Sequence, residues 1–420
     1  MKTKNGLMLV LFLQIVMLPN LAFAQLSNEL NWSIRSETIK QLSIMVNDLY
    51  VNPDIATKMS NQLIVNLQKG KYDSIDDFNQ LGRVLTDDLF QIAHDRHLRT
   101  YYSPSRVAMI KKAHAEKGED WIKDLLEDGR PVNYWFQNVK ILPGNIGYLR
   151  LNRMERLDLA GETAISAMNF LSNSDFVIFD LRNITGGWPS TIQFLASYFY
   201  KETDNIILFE KHYRKDNEIV KYRSLPYLPG KRMDKVPLYI LISSETFSAG
   251  EIFTYSLQKL GRAVVVGEKS NFGAHGTEGP RILNDYYVVD MPILKNISPV
   301  TKTSYEGIGV EPDIKTESKD ALDKTIEIIF DKLIEENNDE RFINGLGYSL
   351  LEDDQFPSAI NVFIKNTILY PQSANTFDSL AEAYMIAGNK EQAIKNYEKS
   401  LELNPQNTNA VEQLKKLGVE

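Results

Sequence analysis

A serine followed by two residues with little or no side chain, Ser248-Ala249-Gly250, stands where the apolar pattern changes period. Residues 237–243 form a continuous apolar run of strand type. Residues 252–260 have helical spacing, which predicts a helix opening at Ser248. Two chemistries fit such a serine. Ser248-Ala-Gly-Glu251 satisfies the Ser-x-x-Glu capping box, in which the hydroxyl closes a helix start. The same position also suits a nucleophile, which needs a base within reach and backbone N–H groups to receive an oxyanion. Ala249 would offer one such N–H at the positive helix end. Another could come from a glycine loop after a neighbouring strand, and Asp180-Leu-Arg-Asn-Ile-Thr-Gly186-Gly187 is such a loop. Isolated histidines are more often structural than catalytic, which sets aside His94, His114 and His212 and leaves His97 and His275 as candidate bases. Glycines surround His275, so its segment reads as a solvent-facing turn.

The elements that must position these residues follow from periodicity. Residues 26–92 read as three helices, with Ile39, Leu42 and Val46 on one stripe, Met59 and Leu63 on a second, and Leu81, Leu85 and Leu89 on a third. A short strand is expected from Leu98 and a charged helix with loops over 105–130. From Gly144 the texture is α/β: strands at 146–151, 176–181, 206–209, 238–243 and 263–267 alternate with helices at 160–171 and 192–200. Alternation of that kind predicts a mainly parallel, layered sheet. Residues 335–340 read as a linker. Beyond it Leu346/Leu380, Gly347/Ala381, Ala359/Ala393, Phe363/Tyr397 and Pro371/Pro405 match at an offset of 34, the tetratricopeptide period. Two repeats are fewer than usually stand alone, so they are expected to lean on the α/β domain or on a partner.

Composition narrows the classes. A basic start at residues 1–4, an apolar run at 7–18 and Ala22-Phe-Ala24 fit a secretory signal over 1–24, so the chain is expected to be exported, periplasmic or secreted, without a membrane span after cleavage. The 420 residues contain no cysteine, which excludes disulfides, thiolate catalysis and Cys-ligated zinc. A formal charge of −8 without a basic stripe argues against nucleic acid. No His/Asp/Glu group has metal-ligand spacing along the chain, and neither a P-loop nor a dinucleotide fingerprint is present, so no cofactor is expected.

The order of the pieces resembles the C-terminal-processing and tricorn-type serine peptidases, the tail-specific protease superfamily, and within it the branch of the interphotoreceptor retinoid-binding protein modules. Four stretches between residues 95 and 315 carry the resemblance: Asp95-Arg-His97-Leu98; Asp180-Leu-Arg182 with Gly186-Gly187; Thr246-Phe-Ser-Ala-Gly-Glu251; and Gly267-Glu-Lys269 through Gly273-Ala-His275-Gly276 to Tyr305-Glu306-Gly-Ile-Gly-Val-Glu-Pro-Asp313. The resemblance implies a crotonase-like layered α/β core. It implies Ser248 as nucleophile, His97 as base, Glu306 as the acid that orients it or completes the network, and Ala249 with Gly186 or Gly187 as the oxyanion hole. Ala274 and His275 occupy the position of the lysine in the Ser–Lys members, and Lys269 lies too early to replace it, which favours the histidine branch. Two departures stand out: Ile184 replaces the asparagine of the glycine loop, and Arg96 precedes His97 where tricorn has serine.

The expected organisation is a signal at 1–24, a helical subdomain at 25–93, a peptidase core at 94–318, a helix and linker at 319–340 and repeats at 341–420. The expected function is that of an exported serine peptidase acting on peptides or proteins, with the repeats offered to a protein partner. Two rival readings are a binding module for a small apolar ligand, favoured by Ile184, and a scaffold whose repeats do the work.

Overall fold

The computed structural model describes residues 29–117 and 129–419; the signal expected at 1–24 and the end of the charged helix expected over 105–130 lie outside them. Three helices, Trp32–Leu49, Pro53–Gln68 and Phe78–Ala93, form the N-terminal layer. Each starts on a polar cap: Asn31 accepts from the Ile34 N–H at 2.9 Å, Asn52 precedes Pro53 at the first helical position, and Asp77 accepts from the Gln80 N–H at 2.7 Å. Their apolar stripes bury Ile39, Leu42, Met59, Leu81 and Leu85 against Tyr287 and Val289 of a small antiparallel sheet and Met291 just beyond it. That sheet pairs Arg99–Tyr102 and Pro280–Ile282 with Tyr287–Asp290.

The third helix ends on His94, which adopts a left-handed φ of 50° while its N–H still reaches the Phe90 carbonyl at 2.8 Å. That reversal, followed at once by the strand Arg99–Tyr102, holds Asp95-Arg96-His97 between a helix and a sheet.

The central sheet has six strands in the order Ile314–Lys315, Ala263–Gly267, Leu238–Ile242, Phe176–Asp180, Ile146–Leu151, Phe136–Leu142, parallel except for the last pair. Its central strands are apolar throughout because both faces are covered, and the side chains divide with period two. Val177, Phe179, Leu238, Ile240 and Ile242 face one core, which holds the helices Leu157–Leu171, Pro189–Ser197 and Ala249–Lys259. Phe176, Ile178, Tyr239 and Leu241 face the other, under the helix Ala321–Glu336. A second antiparallel sheet, Ile219–Arg223, Ile207–Tyr213, Leu294–Ile297 and His275–Gly276, forms one wall of the site described below.

The stretch read as a linker is the end of the helix Ala321–Glu336 and a short connection over 337–339, after which Asp339 caps the next helix. Two helix pairs follow, Glu340–Glu352 with Phe356–Leu369 and Ala374–Ile386 with Lys390–Leu403, then a final helix, Thr408–Lys416. At Gly347 an added Cβ would lie 2.5 Å from the Phe363 ring, which explains the small residue at that helix crossing. Leu346, Leu350, Ala359 and Phe363 share a core with Ile329, Phe330, Ile178 and Tyr239. The first repeat therefore buries its open face through Ala321–Glu336 onto the sheet, and a two-repeat array needs no further copy on that side.

Candidate active site

Ser248 ends the turn between the strand Leu238–Ile242 and the helix Ala249–Lys259, with φ 53° and ψ −113°. An ordinary helix cap sits in the extended region with negative φ. A serine at positive φ costs on the order of 1–3 kcal/mol and persists only where its surroundings impose it. Those surroundings are specific. The Thr246 hydroxyl donates to the Leu181 carbonyl at 2.8 Å, the Ser243 hydroxyl to the Arg182 carbonyl at 2.5 Å, and the Phe247 N–H to the Ile184 carbonyl at 3.0 Å. The turn is thus stitched to the glycine loop, and Ser248 Oγ lies 3.0 Å from His97 Nε2.

Behind Ser248, Glu251 is completely buried. Its carboxylate accepts from the Ser248 N–H at 3.0 Å, the Gly273 N–H at 2.8 Å and the Ser270 hydroxyl at 2.5 Å. Burial pushes this carboxyl up to about 7, against the lowering effect of those donors. Between the ordinary glutamate range and about 7 the folded chain keeps a proton that the unfolded chain releases. Glu251 therefore makes stability fall as pH rises through that window, on the order of 1.4 kcal/mol per pH unit, and level off above it. Glu251→Gln, which mimics the protonated form, should remove that slope. Thermal melts of both proteins at a series of pH values check it, and parallel curves would refute it.

His97 packs against the Phe247 ring at a centroid distance of 4.5 Å. Its Nδ1 is buried without a hydrogen-bond partner, and the nearest carboxylate oxygen is Asp95 Oδ1 at 3.7 Å. Asp95 is completely buried and serves several donors. Its Oδ1 accepts from the His97 N–H at 2.9 Å; its Oδ2 meets His275 Nδ1 at 2.7 Å and the Tyr50 hydroxyl at 3.1 Å. Burial works to raise the Asp95 carboxyl, but the bonds to His275 and His97 outweigh it and hold the group well below its ordinary range.

Glu306, expected to orient His97 or to complete its network, lies against the other histidine. Its Oε2 accepts from the Ala274 N–H at 2.6 Å and the His275 N–H at 2.9 Å, and stands 3.7 Å from His275 Nδ1. Two backbone amides claim that carboxylate, so it fixes the position of the His275 segment. Burial raises its pKa, with the neighbouring His275 opposing and Asp95 adding to the rise.

His275 itself is 8% exposed and paired in a strand, contrary to the solvent-facing turn read from its glycines. The glycines mark crowding. At Gly273 an added Cβ would lie 2.2 Å from the Phe247 ring and 2.8 Å from His97 Cε1. Arg96 points outward, 5.1 Å over the Phe272 ring, and Lys269 is half-exposed and paired with Glu311 at 2.9 Å.

The loop after Asp180 is anchored by charge. Arg182 grips Asp180 through Nε and Nη2 at 2.9 and 2.7 Å and reaches the Ser318 carbonyl at 2.7 Å, while Tyr148 donates to Asp180 at 2.6 Å. Gly186 and Gly187 follow at φ 127° and 144°, values closed to residues with a Cβ. At Gly186 an added Cβ would lie 3.1 Å from Ser248 Cβ. The loop bonds to Met154 through the Gly186 carbonyl and the Trp188 N–H, at 2.9 and 2.7 Å, a pattern that does not use the Gly187 N–H.

Ile184 is wholly buried, and its Cγ2 would be 2.1 Å from a Cβ added at Gly250. It is a core residue beneath the nucleophile helix. Ile184→Asn should cost about 3 kcal/mol of stability by placing an amide in that packing; an unchanged urea midpoint would refute this.

A cleft of about 590 Å³ opens over Ser248 and His97 and is lined also by Trp188, Lys211, Tyr222 and Asn296. Asp95, His275 and Glu306 bring their donor atoms within 4.8 Å of one another, a set that could hold a cation and that sequence spacing did not reveal. As placed, hydrogen bonds already join them. Sequence reading quoted Asp95 without a role and missed Tyr50; the available signal was the Asp-x-His spacing.

Comparisons with known proteins fit this geometry. The family described as peptidase family S41 matches residues 145–316, and the N-terminal domain of that peptidase in the eukaryotic interphotoreceptor retinoid-binding protein matches residues 32–130. A tetratricopeptide repeat matches residues 374–407. A "Probable CtpA-like serine protease" of Staphylococcus epidermidis is 24% identical over 277 residues, covering 60% of this chain and 53% of the relative. The protein of that name from Staphylococcus aureus strain COL is 24% identical over 264 residues, covering 59% and 49%. The chain thus spans about half the length of the curated relatives it matches. Among solved structures, the photosystem II D1 C-terminal processing protease aligns with a TM-score of 0.44 at 17% identity, over 68% of this chain and 94% of that one. A lipoprotein from Streptococcus agalactiae aligns with a TM-score of 0.46 at 14% identity, over 71% and 96%. Residues 145–316 thus match peptidase family S41, with a match to an N-terminal domain of that peptidase ahead of them and to a tetratricopeptide repeat behind them.

Proposed function

We propose that the chain is an exported serine peptidase in which Ser248 is the nucleophile, His97 the base and Asp95 the acid that serves it. The observation that carries the reading is Ser248 Oγ at 3.0 Å from His97 Nε2, on a serine held at positive φ. In this mechanism His97 Nε2 takes the Ser248 proton as Oγ attacks the substrate carbonyl. The N–H groups of Ala249 and of Gly186 or Gly187 receive the oxyanion. Collapse breaks the C–N bond, and the amine leaves with the proton from His97. Water, activated by the same imidazole, then hydrolyses the acyl-enzyme.

Asp95 stabilises the imidazolium across 3.7 Å; such contacts are commonly long in empty sites and tighten around substrate. His275, Tyr50 and Glu306 are positioning residues. His275 and Tyr50 hold Asp95 through Oδ2, and Glu306 holds His275 through its backbone. Export rests on the signal-like residues 1–24, and the repeats are offered to a protein partner. Among the described residues no helix is long and apolar enough to cross a membrane.

The test is hydrolysis of an unstructured protein by the wild type and by Ser248→Ala. Cleavage by the first and none by the second is expected. A wild type that cleaves nothing would defeat the reading.

A further inference from the structure

Two nearly buried polar side chains on one wall of the cleft are under-partnered. Lys211 and Asn296 stand directly opposite each other on the antiparallel strands Ile207–Tyr213 and Leu294–Ile297, so their side chains share one face. Both line the cleft that holds Ser248. Asn296 is 4% exposed; its Nδ2 donates to the Ala274 carbonyl at 2.6 Å, but its Oδ1 is buried with no partner. The Lys211 side chain is 9% exposed. The nearest carboxylate oxygen to its ammonium is Glu278 Oε1 at 3.6 Å, beyond a hydrogen bond, and that oxygen already accepts from the Tyr213 hydroxyl. Burial lowers the Lys211 pKa, with Glu278 opposing. Arg106 borders the same cleft with its Nε buried and unpaired.

The Lys211 ammonium also lies 5.6 Å over the Tyr222 ring, but among the described residues no acceptor is within hydrogen-bond reach of it; a buried ammonium and a buried carbonyl oxygen so placed are costly to a folded chain unless a ligand completes them. The ammonium calls for an anion and the amide oxygen for an N–H. One residue of an extended peptide supplies both when it carries a carboxylate beside its own backbone N–H.

We propose that Lys211 and Asn296 form a subsite for a carboxylate-bearing residue of the substrate, with Lys211 taking the carboxylate and Asn296 Oδ1 the residue's N–H. The inference rests on the peptidase reading of the cleft and names the class of peptide it receives. An acidic side chain and a free chain end present the same chemistry here. Glu278 is the carboxylate nearest the ammonium and gives way to that of the substrate.

Binding to Ser248→Ala tests this without requiring catalysis. Fluorescent peptides are compared in pairs: glutamate against glutamine at one scanned position, and free acid against amide at the C-terminus. The carboxylate form of at least one pair should bind about tenfold tighter, as a charge-assisted hydrogen bond predicts; which pair responds identifies the source. In the same background, Lys211→Met should abolish that preference and Glu278→Gln should widen it. The second variant decides the matter if the first fails to fold. Equal binding within both pairs, no binding of either, or a preference that survives Lys211→Met and ignores Glu278→Gln overturns the proposal. Lack of hydrolysis by the wild type would instead count against the peptidase reading alone.

Discussion

Asp95→Asn is expected to lower kcat by about a hundred- to ten-thousand-fold and to destabilise the chain by about 3 kcal/mol. Both effects have one origin. Asp95 is completely buried and meets the His97 N–H, the His275 ring and the Tyr50 hydroxyl at 2.9, 2.7 and 3.1 Å. The asparagine removes the charge that favours the His97 imidazolium and turns an amide group toward donors. Because the aspartate stays ionised far below neutrality, the loss should not be recovered at any assay pH. Steady-state kinetics with a denaturant titration check both halves. A variant with full kcat would remove Asp95 from the mechanism; one with low kcat but wild-type stability would contradict its place in the buried network.

The second large effect separates the two histidines. His97→Ala should reduce kcat by about ten-thousand- to a million-fold, because the base and the nucleophile act as a unit. His275→Ala should cost far less in rate, about ten- to a hundred-fold, since its ring contacts Asp95 and reaches Ser248 only through that carboxylate and His97. It should also lower the melting temperature, as Asp95 loses a hydrogen-bonded partner in a buried setting. An asparagine side chain at 275 keeps an N–H donor for Asp95, so His275→Asn is expected to lie between the wild type and His275→Ala in kcat. Near-equal losses in the two alanine variants would make His275 a direct participant, and a larger loss in His275→Ala would reverse the assignment.

The strand and helix framework was legible because long elements repeat their pattern. The run at 176–181 becomes the strand Phe176–Asp180, buried on both faces, and residues 263–267 are a strand over the expected range. Short pieces were not: His275–Gly276 and Ile314–Lys315 hold too few residues to show a period. The pairing of Asp95 with His275 joins positions 180 residues apart and leaves no local trace. Glycines 273 and 276 misled because glycine marks both solvent-facing turns and close approach, and here Phe247 and Leu294 crowd them. Ile184 looked like a departure in the oxyanion loop because sequence alignment to a motif does not say which way a side chain turns; it turns into the core. Ser248 was readable as a cap or a nucleophile, and its local residues could not choose. The two do not exclude each other: Glu251 accepts from the Ser248 N–H as in a capping box, while the φ of 53° is one that capping alone does not require.

The central claim is that Ser248 is an activated nucleophile, and covalent labelling tests it most directly. A fluorophosphonate probe applied to the folded chain, followed by mass mapping of the peptides, should place the adduct on Ser248. Labelling should vanish in Ser248→Ala and His97→Ala. A chain that melts cooperatively yet takes up no probe, or takes it up at a residue other than Ser248, would contradict the account.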